Sequence, residues 1–415
     1  MRLKRPMIAT GAVAMVMLAS GLTGCSAGDD GKVELTIWHR PGSLSEGVKE
    51  SAAEEFPDYE LTFVPSSGID DSLRSAIRAK SGLPDIAYFG GTLPDYFGVE
   101  DQFIDLDEYG FADHEDEYFS VALSAATSPS GRQIVAPTDI GPWAYFYNAE
   151  EFAKLGFPTD PEEVGKAISN WDDYFAMAET AQGQGKYLCD SIGGIYQLGM
   201  QQNGYMFFEG GDGEELTLDV DTDLHRDAYD NAVTWAESGL CGQGAPFTTE
   251  WSAAITQNQT IGYVGAGWTM GILKEAAQAS SGDWRVATQT PGGVAGMAGS
   301  YVGAFASTKH PEEAVEVVNY LSGQDALSTG YISGGLIPAT IGSYDDPEVA
   351  GPDEFFGGQE VMAVLRNTTE NAPYVPVGPN GNIIMSQFIQ VLTDVSNGAD
   401  PDDEWSKAID SIGKD

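Results

Sequence analysis

The side chains that could do covalent or metal chemistry are few and dispersed. The four histidines, His39, His114, His225 and His310, share no close spacing, and no H-E-x-x-H pair offers a zinc site. No Gly-x-Ser-x-Gly elbow presents a nucleophile, Ser333 lacking a flanking glycine at the required offset, and no phosphate-cradling loop occurs. Asp219, Asp221, Asp223, Asp227 and Asp230 fall at calcium-loop spacings. Leu224, however, stands where the sharp turn wants glycine, and the twelfth position is Asp rather than Glu. A strand end followed by an acidic helix start accounts for them better, since carboxylates suit a helix N-terminus. Cleavage of a glycosidic bond needs two tuned carboxylates about 5–10 Å apart, and no segment among the 63 acidic residues marks such a pair. The sequence therefore points to no catalytic residue, no metal and no cofactor.

Binding chemistry is better represented. Residues 251–273 and 286–308 carry no charge, although the chain holds 63 Asp+Glu against 20 Lys+Arg. Both stretches are too rich in glycine and polar residues to face lipid as a helix. They suit the walls of a neutral cleft, where flat aromatic faces and a few convergent polar groups hold a ligand. Trp268 in the first stretch is the leading candidate, and Ser300 and Tyr301 in the second are weaker ones. Asp139 and Trp143 offer hydroxyl acceptance and stacking, His39 and Arg40 offer donors, and Tyr196 and Gln197 follow the pair Gly193-Gly194. Trp171, Trp235 and Trp405 sit on helical patterns and are assigned to the core.

The elements that must position these groups follow from periodicity. Residues 33–37 alternate as a strand does, 46–56 form a helix stopped by Pro57, and Tyr59, Leu61 and Phe63 alternate again. Leu73, Ala76 and Ile77 share one face of a helix over 70–80, with an Asp cap before it and Gly82 at its end. Asp85 to Phe89 form a third, apolar strand. This β-α-β-α-β order implies an α/β fold with a parallel, doubly wound sheet, whose ligands sit beyond the carboxyl ends of the strands. Those ends are Trp38-His39-Arg40 and Phe89-Gly90-Gly91. A further strand over 143–148 and helices over 150–155, 171–180, 224–238 and 311–322 complete the reading. With 415 residues, 42% apolar content and 8 Trp, the chain can bury two domains. Its net charge of −43 excludes nucleic acid, which requires clustered Lys and Arg.

Arg2, Lys4 and Arg5 precede an uncharged run and then Leu22-Thr23-Gly24-Cys25. This is a secretory signal over 1–24. Its ending resembles the bacterial lipobox, which implies lipid on Cys25 and a small, polar tether over 25–32. In an oxidising exterior, Cys189 and Cys241 are expected to pair, the alternative being two buried thiols.

Five segments then fall in the order of one family: Ser81-Gly82-Leu83-Pro84-Asp85-Ile86, the stretch 131–158 with Tyr145-Phe146-Tyr147-Asn148-Ala149-Glu150-Glu151-Phe152, Ser169-Asn170-Trp171-Asp172-Asp173-Tyr174, Ile261-Gly262-Tyr263-Val264-Gly265-Ala266-Gly267-Trp268, and Gly334-Gly335-Leu336-Ile337-Pro338-Ala339. Together they resemble extracellular solute-binding protein family 1, the carbohydrate-binding proteins of bacterial ABC importers, which include maltose-binding protein. The chain has Gly265-Ala266-Gly267-Trp268 where that family often has Gly-Pro-Trp or Gly-Ser-Trp, so a different local backbone is expected there while the Trp is kept. The resemblance implies a two-lobed periplasmic-binding-protein-like fold with discontinuous lobes, 33–139 plus 301–342 and 140–300 plus 343–415. Hinge segments are expected near 138–141, near 299–302 and within 341–351. It further implies a lipid-anchored, monomeric and non-catalytic carrier facing the extracellular side or periplasm, delivering a neutral oligosaccharide to an ABC permease. A carrier of another polar solute (polyol, glycerol phosphate or peptide) and a secreted carbohydrate-active hydrolase are the alternatives.

Overall fold

The computed structural model describes residues 32–211, 214–242, 245–297 and 299–412. The leader over 1–24, the lipidation site Cys25 and all but Lys32 of the tether lie outside the described residues.

The first sheet grows from the alternation seen at the start of the chain. In β1 (Val33–His39), Leu35, Ile37 and His39 point into the core. β2 (Tyr59–Pro65) and β3 (Ile86–Phe89) flank β1, both parallel to it, joined through the helices Glu46–Glu55 and Ile69–Ala79. Ser45 caps the first of these helices. The second differs from expectation at both ends. Gly68 occupies its N-cap without a side-chain bond, and Asp70 and Asp71 lie inside the first turn, where their charge still meets the helix dipole. Lys80, at φ 50°, takes the left-handed stop expected near Gly82.

β4 (Ala136–Pro137) and β11 (Tyr301–Ala304) complete this sheet in the order β2-β1-β3-β11-β4, with β11 antiparallel to both neighbours. The second sheet is antiparallel throughout. Its centre, β5 (Gly141–Asn148), is buried at all eight positions, between β8 (Gly262–Ala266) and both β9 (Trp284–Val286) and β10 (Gly296–Met297). A hairpin of β6 (Phe208–Gly211) and β7 (Glu214–Leu218) stands apart from both sheets. The helices Ile192–Gln202, Asp223–Ser238, Gly381–Ser396 and Pro401–Ile412 pack together around buried His225, Phe388 and Trp405. Trp235 is also buried, so it and Trp405 serve the core as expected.

The chain passes from the first sheet to the second between Pro137 and Gly141, and returns between Met297 and Tyr301. These passages touch each other. Thr138 and Asp139 donate backbone N–H bonds to the Ser300 carbonyl, and Ile140 N–H donates to the Ile337 carbonyl at 2.9 Å. A Cβ on Gly299 would sit 1.8 Å from the Asp139 carbonyl oxygen, so only glycine permits this approach. Cys189 and Cys241 form the expected disulfide.

Candidate functional site

Three cavities share lining residues and run from the first sheet to the second. A cavity of about 240 Å³ lies beyond β3, against Gly90, Gly91, Phe97, Ala125 and Tyr301 on one side and Leu216, Tyr374, Val375 and Val377 on the other. A neck of about 80 Å³ shares Gly91, Ala125 and the 374–377 segment with it, and adds Gln197, Gln201 and Asn382. Gln197 in turn borders a cavity of about 430 Å³ on the second sheet, walled by Trp143, Asp190, Phe247, Trp268 and Thr269. Among the described residues, no Lys or Arg lines any of the three.

The large cavity owes its shape to local backbone choices. After β8, Gly267 presses so closely on Ile337 and Leu365 that a Cβ would approach them to 2.9 and 3.2 Å. Its N–H donates to the Pro142 carbonyl at 2.8 Å. With the backbone fixed inward, Trp268 is turned out and remains 41% exposed, its ring 5.4 Å from that of Phe247. Trp143, by contrast, is buried, and its indole N–H donates to the Gln201 side-chain oxygen. Asp190 is buried between the disulfide and the helix Ile192–Gln202. One carboxylate oxygen accepts the Trp251 indole N–H at 2.9 Å. Burial pushes this carboxyl up to about 6, against the opposing pull of the Trp251 bond and of the Asp190 and Ser191 backbone N–H groups.

A second cluster forms where the chain crosses between sheets. Arg40 donates to the Phe89 carbonyl at 3.1 Å and to Ser300 Oγ at 3.4 Å, with its guanidinium directly against Gly90. Ser300 N–H donates to Asp139 Oδ1 at 2.9 Å. His39 Nδ1–H donates to the Arg40 carbonyl, and its buried Nε2 has no partner. Burial raises the Asp139 carboxyl, with the Ser300 bonds and Arg40 opposing, and lowers the His39 imidazole.

The nine residues expected to bind ligand therefore separate. Trp268, Trp143, Gln197 and Tyr301 line cavities. His39, Arg40, Asp139 and Ser300 are brought together, but as a network that ties the crossing segments, bonded to one another and to backbone. Tyr196 is fully buried with its hydroxyl against His225 Nε2, so it belongs to the helical core and is corrected from the candidate set. Its neighbour Gln197 faces the neck, as a position one step around the helix can. Sequence reasoning missed Asp190 and Phe247. Phe247 follows Pro246 in a Pro-containing turn, and nothing in the sequence beside either residue marks it as a cavity wall.

Residues 48–357 match the sequence pattern of a family described as bacterial extracellular solute-binding protein. No curated protein sequence matches the chain. Among solved structures, an extracellular solute-binding protein of family 1 is 24% identical, with a TM-score of 0.82 over 92% of this chain and 99% of that one. The galacto-N-biose-/lacto-N-biose I-binding protein of an ABC transporter from Bifidobacterium longum, solved with lacto-N-biose, is 23% identical, with a TM-score of 0.73 over 92% and 96%. The GacH receptor of Streptomyces glaucescens GLA.O, solved unliganded and with acarbose, is 18% identical, with a TM-score of 0.72 over 92% and 98%. These likenesses establish the periplasmic-binding-protein-like two-lobed α/β fold. On the match that spans most of its length, the chain belongs to the bacterial extracellular solute-binding protein family.

Proposed function

We propose that this chain is a lipid-anchored extracellular carrier that captures a neutral oligosaccharide and presents it to the permease of an ABC importer, without catalysing a reaction. The lobes are 33–139 plus 301–342 and 140–300 plus 343–415, which keeps each sheet within one lobe. The observation that carries the reading is the lining of the cleft. It combines an exposed Trp268 face, amide and hydroxyl groups from Gln197, Gln201, Asn382 and Thr269, and, among the described residues, no cation. Sugars present apolar C–H faces and hydroxyl rims that suit this combination. An anionic solute such as a glycerol phosphate would need Lys or Arg there. Arg40 is engaged in the crossing network and Arg366 pairs with Asp345 and Glu370. Ligands of the structural neighbours, among them lacto-N-biose, β-1,6-galactobiose, acarbose and maltose, define the first panel.

Closure would bring the lobes together by rotation about the crossing segments tied by Asp139, Ser300 and Ile337. No helix among the described residues is long and apolar enough to cross a membrane, so attachment would rest on the lipid at Cys25. Calorimetric titration against the panel tests the reading. Micromolar or tighter binding of a sugar recovered intact is expected. Failure of every sugar while a charged solute or peptide binds would overturn it, and loss of the sugar would make the chain a hydrolase.

A further inference from the structure

We infer that the segment 372–380 is a strap that latches the second lobe onto the first, with Asp95 of the first lobe capping the helix Gly381–Ser396 of the second. The latch sets how far the ligand-free chain stays closed and how fast a bound sugar escapes. The inference rests on the lobe boundaries and the carrier reading proposed above, and adds to them the residues that hold the lobes together outside the crossing segments.

Pro373, Pro376 and Pro379 fall at every third position between the helices Val361–Asn371 and Gly381–Ser396. Three residues make one turn of an extended polyproline helix, and each ring fixes φ and removes a backbone donor. A strap of this composition is stiff. It is fastened to its own lobe. Gly378 lies flat against the Phe208 ring with no room for a Cβ, and the Tyr374 carbonyl would be 3.1 Å from a Cβ on Gly204. The helix that follows lacks a cap of its own. Asn380 stands at the N-cap with φ +62°, its side chain makes no capping bond, and no acidic residue occupies the first turn. The N–H groups at a helix start need an acceptor, and the helix dipole favours a negative one.

The first lobe supplies that acceptor. Asp95 Oδ1 accepts the Asn380 backbone N–H at 2.9 Å, and Asp95 Oδ2 accepts from the Arg74 guanidinium at 2.6 Å. Arg74 belongs to the helix Ile69–Ala79. Asp70 of the same helix accepts the Thr92 hydroxyl at 2.7 Å and the Tyr96 hydroxyl at 3.1 Å. The corner that presents Asp95 is thus tied to its own lobe on both sides of that residue, and it cannot follow the strap when the lobes part. Nearby, Gly91 and Asn382 meet in the neck, where a Cβ on Gly91 would come to 3.1 Å from the Asn382 side chain. The strap also walls the cavity of about 240 Å³ opposite Leu93, Pro94 and Phe97. Rotation that opens this cavity must therefore break a charge-assisted hydrogen bond, which is stronger than a neutral one.

The test compares wild type, Asp95→Ala, Arg74→Gln and Asn380→Gly in the full chain. Small-angle scattering without ligand reads closure, since parting the lobes raises the radius of gyration. Asp95→Ala should have a larger radius than wild type. Asn380→Gly keeps the backbone donor and suits the positive φ, so its radius should equal that of wild type. Arg74→Gln removes the same ion pair within the first lobe but leaves the Asp95 acceptor. It should match Asp95→Ala in melting temperature and show a smaller rise in radius. With whichever panel sugar binds wild type, stopped-flow dissociation should be about threefold to tenfold faster in Asp95→Ala and unchanged in Asn380→Gly. An equal radius in Asp95→Ala and wild type, or an equal rise in Arg74→Gln, overturns the latch. A panel that yields no bound sugar overturns the oligosaccharide reading alone, and the latch then stands or falls on the scattering.

Discussion

Replacing Asp190 by asparagine is expected to stabilise the free protein at neutral pH and to have no effect in acid. The carboxyl is buried, and burial lifts it from 3.8 to about 6 in the folded chain. Unfolding returns it to water, where it ionises at its ordinary value. Between those two values the folded state keeps a proton that the unfolded state has released. Stability therefore falls as pH rises through that window, and the loss is complete above the folded value. At roughly 1.4 kcal/mol per pH unit, the gap corresponds to about 3 kcal/mol at pH 7. Asparagine has nearly the same shape and carries no charge, and its side-chain oxygen can still accept the Trp251 N–H. Urea unfolding of both proteins at pH 4, 5, 6 and 7 isolates the effect, because every other carboxylate contributes equally to the two. The expected advantage of Asp190→Asn grows from near zero at pH 4 to about 3 kcal/mol at pH 7. A difference that stays flat across this range would refute the reasoning, since it would mean that the carboxyl titrates alike in both states.

Trp268→Ala should weaken binding by about 1–3 kcal/mol, or tenfold and more, with little loss of stability, because the ring is already 41% exposed; calorimetry showing unchanged affinity would move the stacking face elsewhere. Gly299→Ala should destabilise the fold by more than about 2 kcal/mol, since its Cβ would fall 1.8 Å from the Asp139 carbonyl oxygen and both sides of the clash are backbone; a urea midpoint equal to wild type would contradict the crossing geometry. Reducing the Cys189–Cys241 bond, which spans 52 positions, should cost about 4 kcal/mol by loop entropy; the melting temperature with and without reductant reads it, and the Cys189→Ala, Cys241→Ala double variant should match the reduced protein.

Much of the first sheet is legible because its strands carry their own signal. The alternation of Leu35 and Ile37, and the apolar run from Ile86 to Phe89, state both element and burial locally. The antiparallel pairings of β5 are not legible in this way. All eight of its residues are buried, so no polar face remains to show which partner it takes. The candidate site divides along the same line. Trp268 is conspicuous because a large ring in an uncharged, glycine-rich stretch lacks a local reason to be there. Arg40, Asp139 and Ser300 were drawn toward the cleft by residue type and strand-end position. Only the fold reveals that they bond to each other across the crossing, which leaves them little to offer a ligand. Tyr196 and Gln197 are adjacent on one helix, where successive side chains point about 100° apart, so the buried face and the cavity face had to separate them.

Phe247 and Asp190 were hidden for a deeper reason, because each does the opposite of what its residue type ordinarily does. Turn rules place glycine or asparagine where Phe247 stands. Carboxylates are ordinarily solvated or paired, and Asp190 is one of 63 acidic residues. What distinguishes it is a single indole 61 positions away, whose N–H holds one of its oxygens in the buried interior. A property created by a distant partner leaves no mark on the residues beside it. Residues whose surroundings are set by distant partners are therefore the ones that local pattern is least able to report.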